Sequence, residues 1–373
     1  MMCKKFIQLL GMALVLLAGS GCGREEVPAA EGNVTISFRV GETDTKAESP
    51  GNANVADGGG IYCTRGASPT DLTPDLYIFI CDRETGSIVK RYPGDGTVEE
   101  GSEWLDGNKS TFLSVSFSFN QEGTYDVYAV ANVGGGDSNL TLPSNLGSVT
   151  NASELNGMTI SLTDPAVVVG SRMPLSAKGS LNVVKGLNAG KYNGHIELQL
   201  LRCFHKVQFS FKNLTGNPLD LYNCQITFKD LNVQQGWLFP ASPDFVALGD
   251  TNSDGKDDNY RDFASAAADV TGIANEGERA FFANPVVFLP SEAPTQSKPS
   301  TGQRYLCDIS FRVGGVDKSF TNLPIHTPKS LDIRSLGRNQ YLKIITTVSV
   351  GTEVSFNFVV KEWEMKTEYV TFD

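Results

Sequence analysis

From residue 33 onward the chain is patterned in twos. Asn33 to Val40, NVTISFRV, sets Val34, Ile36, Phe38 and Val40 against Thr35, Ser37 and Arg39, the alternation of a half-buried β-strand. Further β-branched and aromatic runs follow: DLYIFICD, TFLSVSFSF, TYDVYAVAN, MTISL, SLNVV, NCQITFKDL, AFFANPVVFLP, YLCDISFRV, KSFTNLP, QYLKIITTVSV and EVSFNFVVKEW. Gly, Asn and Asp separate them, and a helical period is almost absent. Short strands at regular spacing predict an all-β protein built as sandwiches, since there are no crossover helices to join a parallel sheet. The run from His195 to Phe211 is too long for one ordinary strand and predicts the passage between two domains. The expected division is an N-terminal β-sandwich over 66–205 and a C-terminal one over 206–373.

Two segments break this pattern. Lys4 to Cys22, KKFIQLLGMALVLLAGSGC, has a basic start, an apolar core too short for a membrane span and a small-residue exit, the three parts of a signal peptide over 1–21. Its end, Gly19-Ser20-Gly21-Cys22, resembles a bacterial lipobox, in which the cysteine is acylated, although the usual Leu three residues earlier is missing. Ordinary cleavage nearby, with Cys22 incidental, is the other reading. The second segment is residues 41–70, rich in Gly, Ser, Asn, Ala and Asp, which have too little apolar surface to offset their own ordering entropy. It is expected to be an exposed, flexible linker, with Lys46 and Arg65 as candidate proteolytic sites. Residues 22–65 then form a propeptide that carries the first strand.

The formal charge is −11, and loss of Lys4 and Lys5 with the signal takes it to −13. That sign repels phosphate backbones, and no basic run offsets it, so nucleic acid is not an expected partner. Of seven cysteines, Cys3 leaves with the signal and Cys22 is the lipid candidate. Cys63, Cys81, Cys203, Cys224 and Cys307 remain without ligand spacing. Cys203 and Cys224 are able to bridge neighbouring strands, or all five pack as free thiols.

DTNSDGKDDNYRD, from Asp250, places oxygens in the order of a calcium loop: Asp250, Asn252, Asp254, the carbonyl of Lys256 and Asp258, with Gly255 for the sharp turn. Arg261 stands where a bidentate Glu is wanted, with Asp262 beside it, and a solvated acidic turn is the alternative. No other cofactor is expected. There is no G-x-S-x-G elbow and no partner for His195, His205 or His326, so the chain reads as a non-enzyme, with His205 in a packing or interface role.

Taken together, LYIFICDRETGSIV, YDVYAVANVGG, MPLSAKGSLNVV, RCFHKVQFSF, GRNQYLKIITTVSV and VVKEWEMKTEYVTF resemble, in this order, the Bacteroidales fimbrillins, subunits of lipoprotein-derived type V pili. The resemblance implies two tandem transthyretin-like domains, delivery to the outer membrane through lipid on Cys22, and assembly with other subunits of the same or different kind after a cut in the linker. Arg65, in CTRG, fits the family's cleavage position better than Lys46. Loss of the first strand then strips a sandwich of a paired edge. A neighbour's C-terminal segment, with Trp363, Met365 and Tyr369 on one face, is expected to refill the groove vacated by Val34, Ile36, Phe38 and Val40. Alternatives within the same architecture are an uncleaved pilus anchor, or a tip adhesin or glycan-binding lipoprotein that contacts a host protein or sugar through Trp104 or Trp237.

Overall fold

The computed structural model describes residues 33–40, 60–65, 72–99, 103–105, 109–134, 138–165, 173–188, 190–253, 256–293, 304–325, 335–349 and 354–362. The N-terminal half holds Val34–Val40 (β1), Ile61–Arg65 (β2), Leu72–Pro74 (β3), Leu76–Asp82 (β4), Ile88–Tyr92 (β5), Gly96–Val98 (β6), Glu103–Leu105 (β7), Lys109–Phe117 (β8) and Gly123–Ala131 (β9). It continues with Leu140–Thr141 (β10), Thr159–Leu162 (β11), Leu175–Lys185 (β12) and Tyr192–Arg202 (β13). The C-terminal half holds His205–Leu214 (β14), Leu219–Val233 (β15), Gln235–Trp237 (β16), Tyr260–Ala264 (β17), Ala268–Ile273 (β18), Glu278–Ala280 (β19) and Val286–Phe288 (β20). Ser291–Glu292 (β21), Leu306–Val313 (β22), Val316–Pro324 (β23), Ser335–Leu336 (β24), Gln340–Ser349 (β25) and Val354–Glu362 (β26) complete it.

In the first half the paired strands run β3-β2-β8-β1-β13-β12-β9-β4-β5, with β6 and β7 also on β8. β12 and β13 pair only at their ends, Leu175 with Arg202 and Lys185 with Tyr192 among them. Between those ends a Cβ at Gly179 would lie 2.5 Å from Leu198 Cδ2 and 2.8 Å from Ile196 Cδ1. Side chains of β13 thus lie over the bare backbone of β12, and the path closes into two layers. Val34, Ile36, Phe38 and Val40 fill the space between the layers with Ile78, Ile80, Val115, Val127 and Ala129.

The second half places β19-β14-β25-β26, with β20 on β14, opposite β17-β15-β22-β23, with β18 on β15. Its core is aromatic: Phe209 meets Phe211 edge-on at 5.4 Å, and Phe211 meets Phe311 at 5.9 Å. A third cluster, including Phe79, Tyr128, Phe204, Phe239 and Leu289, joins the halves. It explains why LYIFICD is apolar almost without interruption. Ile78 and Ile80 face the first core, and Phe79 and Cys81 face the third.

Two expectations change. Residues Ile61–Arg65 of the supposed linker form β2, antiparallel to both β8 and β3. The low apolar content of the whole segment hid a local alternation in which Ile61 and Cys63 are buried. AFFANPVVFLP is not one strand: it holds only Ala280, the end of β19, and β20, and Pro285 just before β20 has no N–H to donate to a ladder. The run from His195 to Phe211 divides at Cys203 and Phe204, and β13 and β14 lie in different sheets.

The first strand and the junction as a candidate assembly site

β1 is an interior strand and not the paired edge expected of it. It lies parallel to β13, Ile36 opposite Ile196 and Phe38 opposite Leu198, and antiparallel to β8, Ile36 opposite Val115 and Phe38 opposite Leu113. Val34, Ile36 and Phe38 are 0% exposed and Val40 5%. Ser37 Oγ shares a hydrogen bond of 2.8 Å with Ser114 Oγ, and Arg39 pairs with Glu197 at the surface. β8 and β13 pair with β1 and not with each other, so the fold holds a slot one strand wide that β1 occupies. Burial of the four apolar side chains is worth roughly 6 to 10 kcal/mol before entropy.

Asn132 holds the chain that follows. Its backbone is left-handed, φ 64°, and its buried amide donates to the carbonyls of Gly60, at 3.0 Å, and Met173, at 3.2 Å. Its Oδ1 accepts the N–H of Tyr62 at 2.8 Å. The Asn that ends YDVYAVAN therefore fastens β2, a role its sequence did not reveal. Arg65 is the last residue of β2, opposite Leu72. Cys22, Lys46, Asp254, Trp363, Met365 and Tyr369 lie outside the described residues, as does His326.

The first strand and the C-terminal segment lie at opposite ends of the sequence. β14 is parallel to β25, Lys206 opposite Tyr341, and β26 returns antiparallel until Glu362 stands opposite Gln340. The last described residue thus lies at the junction of the halves, where Asn339 N–H donates to the Phe204 carbonyl at 2.8 Å. The pairing of Val40 with Leu200, near the end of β13, puts one mouth of the slot at that junction too.

Arg338 bolts the junction. Nε donates to Asp244 Oδ1 and Oδ2 at 2.7 and 2.9 Å. Nη1 donates to Ser176 Oγ at 2.9 Å and the Leu238 carbonyl at 3.0 Å, and Nη2 to the carbonyls of Phe239, at 3.1 Å, and Trp237. Arg202 Nη1 donates to Asn339 Oδ1 at 3.0 Å. The Arg-Cys-Phe-His and Arg-Asn-Gln-Tyr segments, far apart in sequence, meet here.

His205 is fully buried at the same junction, stacked on Phe288 at 5.7 Å, and neither ring nitrogen has a hydrogen-bond partner. Burial lowers its pKa from 6.5 to about 3. The unfolded chain takes up that proton near 6.5 and the folded chain only near 3. Between these values the unfolded state binds more protons, so stability present above pH 6.5 is lost as pH falls, by up to about 1.4 kcal/mol per unit. Melting midpoints at pH 7 and pH 4.5 are expected to differ less in His205→Phe than in the native chain. An equal drop in both proteins would remove His205 as a cause.

Cys203 and Cys224 do not pair. All five described cysteines are free and buried, and the two belong to different hydrophobic clusters. Burial pushes the thiols of Cys63, Cys81, Cys224 and Cys307 up to about 12, and that of Cys203 upward too, so they act as small apolar groups.

In the acidic loop, Asp258 Oδ2 accepts from Thr251 N at 2.9 Å and from the Thr251 hydroxyl. Asp262 is turned to Lys229 and to the N–H of Asp230, and Lys256 Nζ reaches Asp230 at 2.8 Å. Among the described residues no three His, Cys, Asp or Glu side chains are grouped to hold a metal. Trp104 lies on β7 in the first half and Trp237 on β16, in a different sheet.

No family model and no curated protein matches the chain. Solved structures do. A candidate cell adhesion protein from Parabacteroides distasonis matches at TM-score 0.52 and 13% identity, over 91% of this chain and 99% of its own. A second, from Bacteroides eggerthii, gives 0.50 at 15% identity over 90% and 97%. A fimbrilin from Porphyromonas gingivalis gives 0.50 at 11% identity over 91% and 99%. Along nearly its whole described length, this chain has the fold of Bacteroidales fimbrial and adhesion proteins.

Proposed function

We propose that the protein is a structural subunit of a cell-surface fimbria, exported as a lipoprotein precursor through Cys22, cut between β1 and β2, and polymerised by strand exchange at the outer membrane. The observation that carries this reading is the seating of β1. A seven-residue strand with four buried apolar side chains bridges two ladders that do not otherwise meet. Its loss leaves two unpaired edges and an apolar groove, both costly when left open, and one incoming strand satisfies both. Lys46 is the better cleavage site on physical grounds. A cut there frees β1 and leaves β2 fastened by Asn132, whereas a cut at Arg65 falls on a paired strand.

The incoming strand is the C-terminal segment of a neighbour. Among the described residues β26 pairs with β25 alone, so release of β26 to carry that segment outward breaks a single ladder. Such a contact is head-to-tail and open, which generates a filament.

Treatment of the chain from residue 23 with a trypsin-like protease tests this. A new N-terminus at Ala47 and a ladder of oligomers on a gel of unboiled samples are expected, and deletion of residues 363–373 is expected to abolish the ladder. A chain that is cut there and stays monomeric would count against polymerisation and favour the tip role, and one that resists the cut would favour the uncleaved anchor.

A further inference from the structure

The loop that Arg338 grips forms one wall of a cavity of about 500 Å3 at the seam between the halves. Trp237, Pro240, Pro243 and Phe245 line that wall, and Asn156 and Lys178, from other stretches of the chain, line the cavity too. We propose that this cavity binds a pyranose sugar bearing a carboxylate.

The wall is built in advance. Trp237, Leu238 and Phe239 present their carbonyls to the one buried guanidinium, and Trp237 Nε1 donates to the Phe245 carbonyl at 3.0 Å. A ligand therefore meets a loop that is already ordered, which lowers the entropic cost of binding it. The indole N–H is committed inside the loop, so what Trp237 offers a ligand is its apolar ring. Indole and proline rings suit the C–H face of a pyranose, and the cavity has the size of a small-ligand site.

Asn156 and Lys178 offer donors. Asn156 Oδ1 accepts from Tyr128 OH at 3.1 Å and from Lys178 Nζ at 3.0 Å, an arrangement that leaves the Asn156 Nδ2 hydrogens for a ligand. Lys178 Nζ sits 4.7 Å from the Tyr128 ring centre and has two N–H groups beyond the one given to Asn156. In a chain with 42 acidic residues, no Asp or Glu among the described residues lines this cavity, and Lys178 is the one charged group among those that do. Donors and a single cation select an anion, and a charge-assisted hydrogen bond from Lys178 is the selective contact. This inference does not depend on whether the subunit polymerises.

The test uses the full mature chain with Trp104→Phe and Trp363→Phe, which leaves Trp237 as its one tryptophan. Methyl glycosides of glucuronic acid and N-acetylneuraminic acid are titrated against methyl galactoside, with Trp237 fluorescence and amide chemical shifts as readouts. Saturable binding of an acidic sugar in the millimolar range is expected, about tenfold tighter than the neutral sugar and weakened by salt. Lys178→Ala, a change at an exposed residue, is expected to remove that preference at an unchanged melting midpoint, and Trp237→Ala to remove binding of both. No saturable response, equal affinity for acidic and neutral sugars, an unaffected Lys178→Ala variant, or binding of a proline-rich peptide in place of sugars would each overturn the proposal.

Discussion

A chain that begins at residue 41 is expected to lose the ordered N-terminal half, and a synthetic VTISFRV peptide to restore it. The truncation removes Val34, Ile36, Phe38 and Val40 from the centre of the first core and strands the backbone groups of β8 and β13 along the slot. The apolar loss alone is roughly 6 to 10 kcal/mol, comparable to the whole stability of an ordinary domain. The C-terminal half has its own aromatic core and does not draw on β1, so its transition should persist. Differential scanning calorimetry on the truncated chain should show the first transition missing or sharply lowered. Added peptide should return it in a concentration-dependent way, because a ligand that binds only the folded form stabilises by mass action. A peptide with Asp in place of Phe38 should fail, since that position is fully buried. A truncated chain that melts like the intact one and ignores the peptide would sink the strand-exchange reading at its base.

Replacement of Arg338 by Met is expected to destabilise the protein by about 3 to 5 kcal/mol, the usual cost of removing one partner from a buried, hydrogen-bonded ion pair. The side chain of Arg338 is 3% exposed and that of Asp244 27%. Without the guanidinium, the Asp244 carboxylate and the carbonyls of Trp237, Leu238 and Phe239 lose their shared donor. Arg338→Lys should recover little, because an ammonium cannot imitate a planar fork aimed at groups on several sides. Asp244→Asn should cost less than Arg338→Met, and the two together less than their sum, which a double-mutant cycle in urea measures directly. Strict additivity would show that the two residues do not act as one unit.

The strand inventory was largely legible because the core of each half draws on residues spaced by two, as in NVTISFRV and YLCDISFRV. The run LYIFICD was legible as a strand, but its uninterrupted apolar character carried a further message: both of its faces are covered. β2 was missed for a physical reason. Three residues of apolar alternation in IYC are too few to stand out among glycines, and what orders them is Asn132, some 70 residues away. Arg338 and Asn339 were noticed as part of a family-like segment, without any sign of what they hold. Their partners, Ser176, Arg202 and the loop that carries Trp237 and Asp244, come from three separate stretches of chain.

By itself, then, the sequence determined the all-β class and the burial of the first strand's alternate residues, since these follow from local periodicity. Only the tertiary structure decided that β1 lies inside a sheet, parallel to β13 and antiparallel to β8, that Glu362 of the C-terminal strand stands at the junction, and that a lysine and a tryptophan line one cavity. Periodicity fixes which face of a strand is buried and leaves its neighbours unspecified. Those are chosen by the closing of the layers, where hydrogen bonds and side chains from distant segments must be satisfied at once.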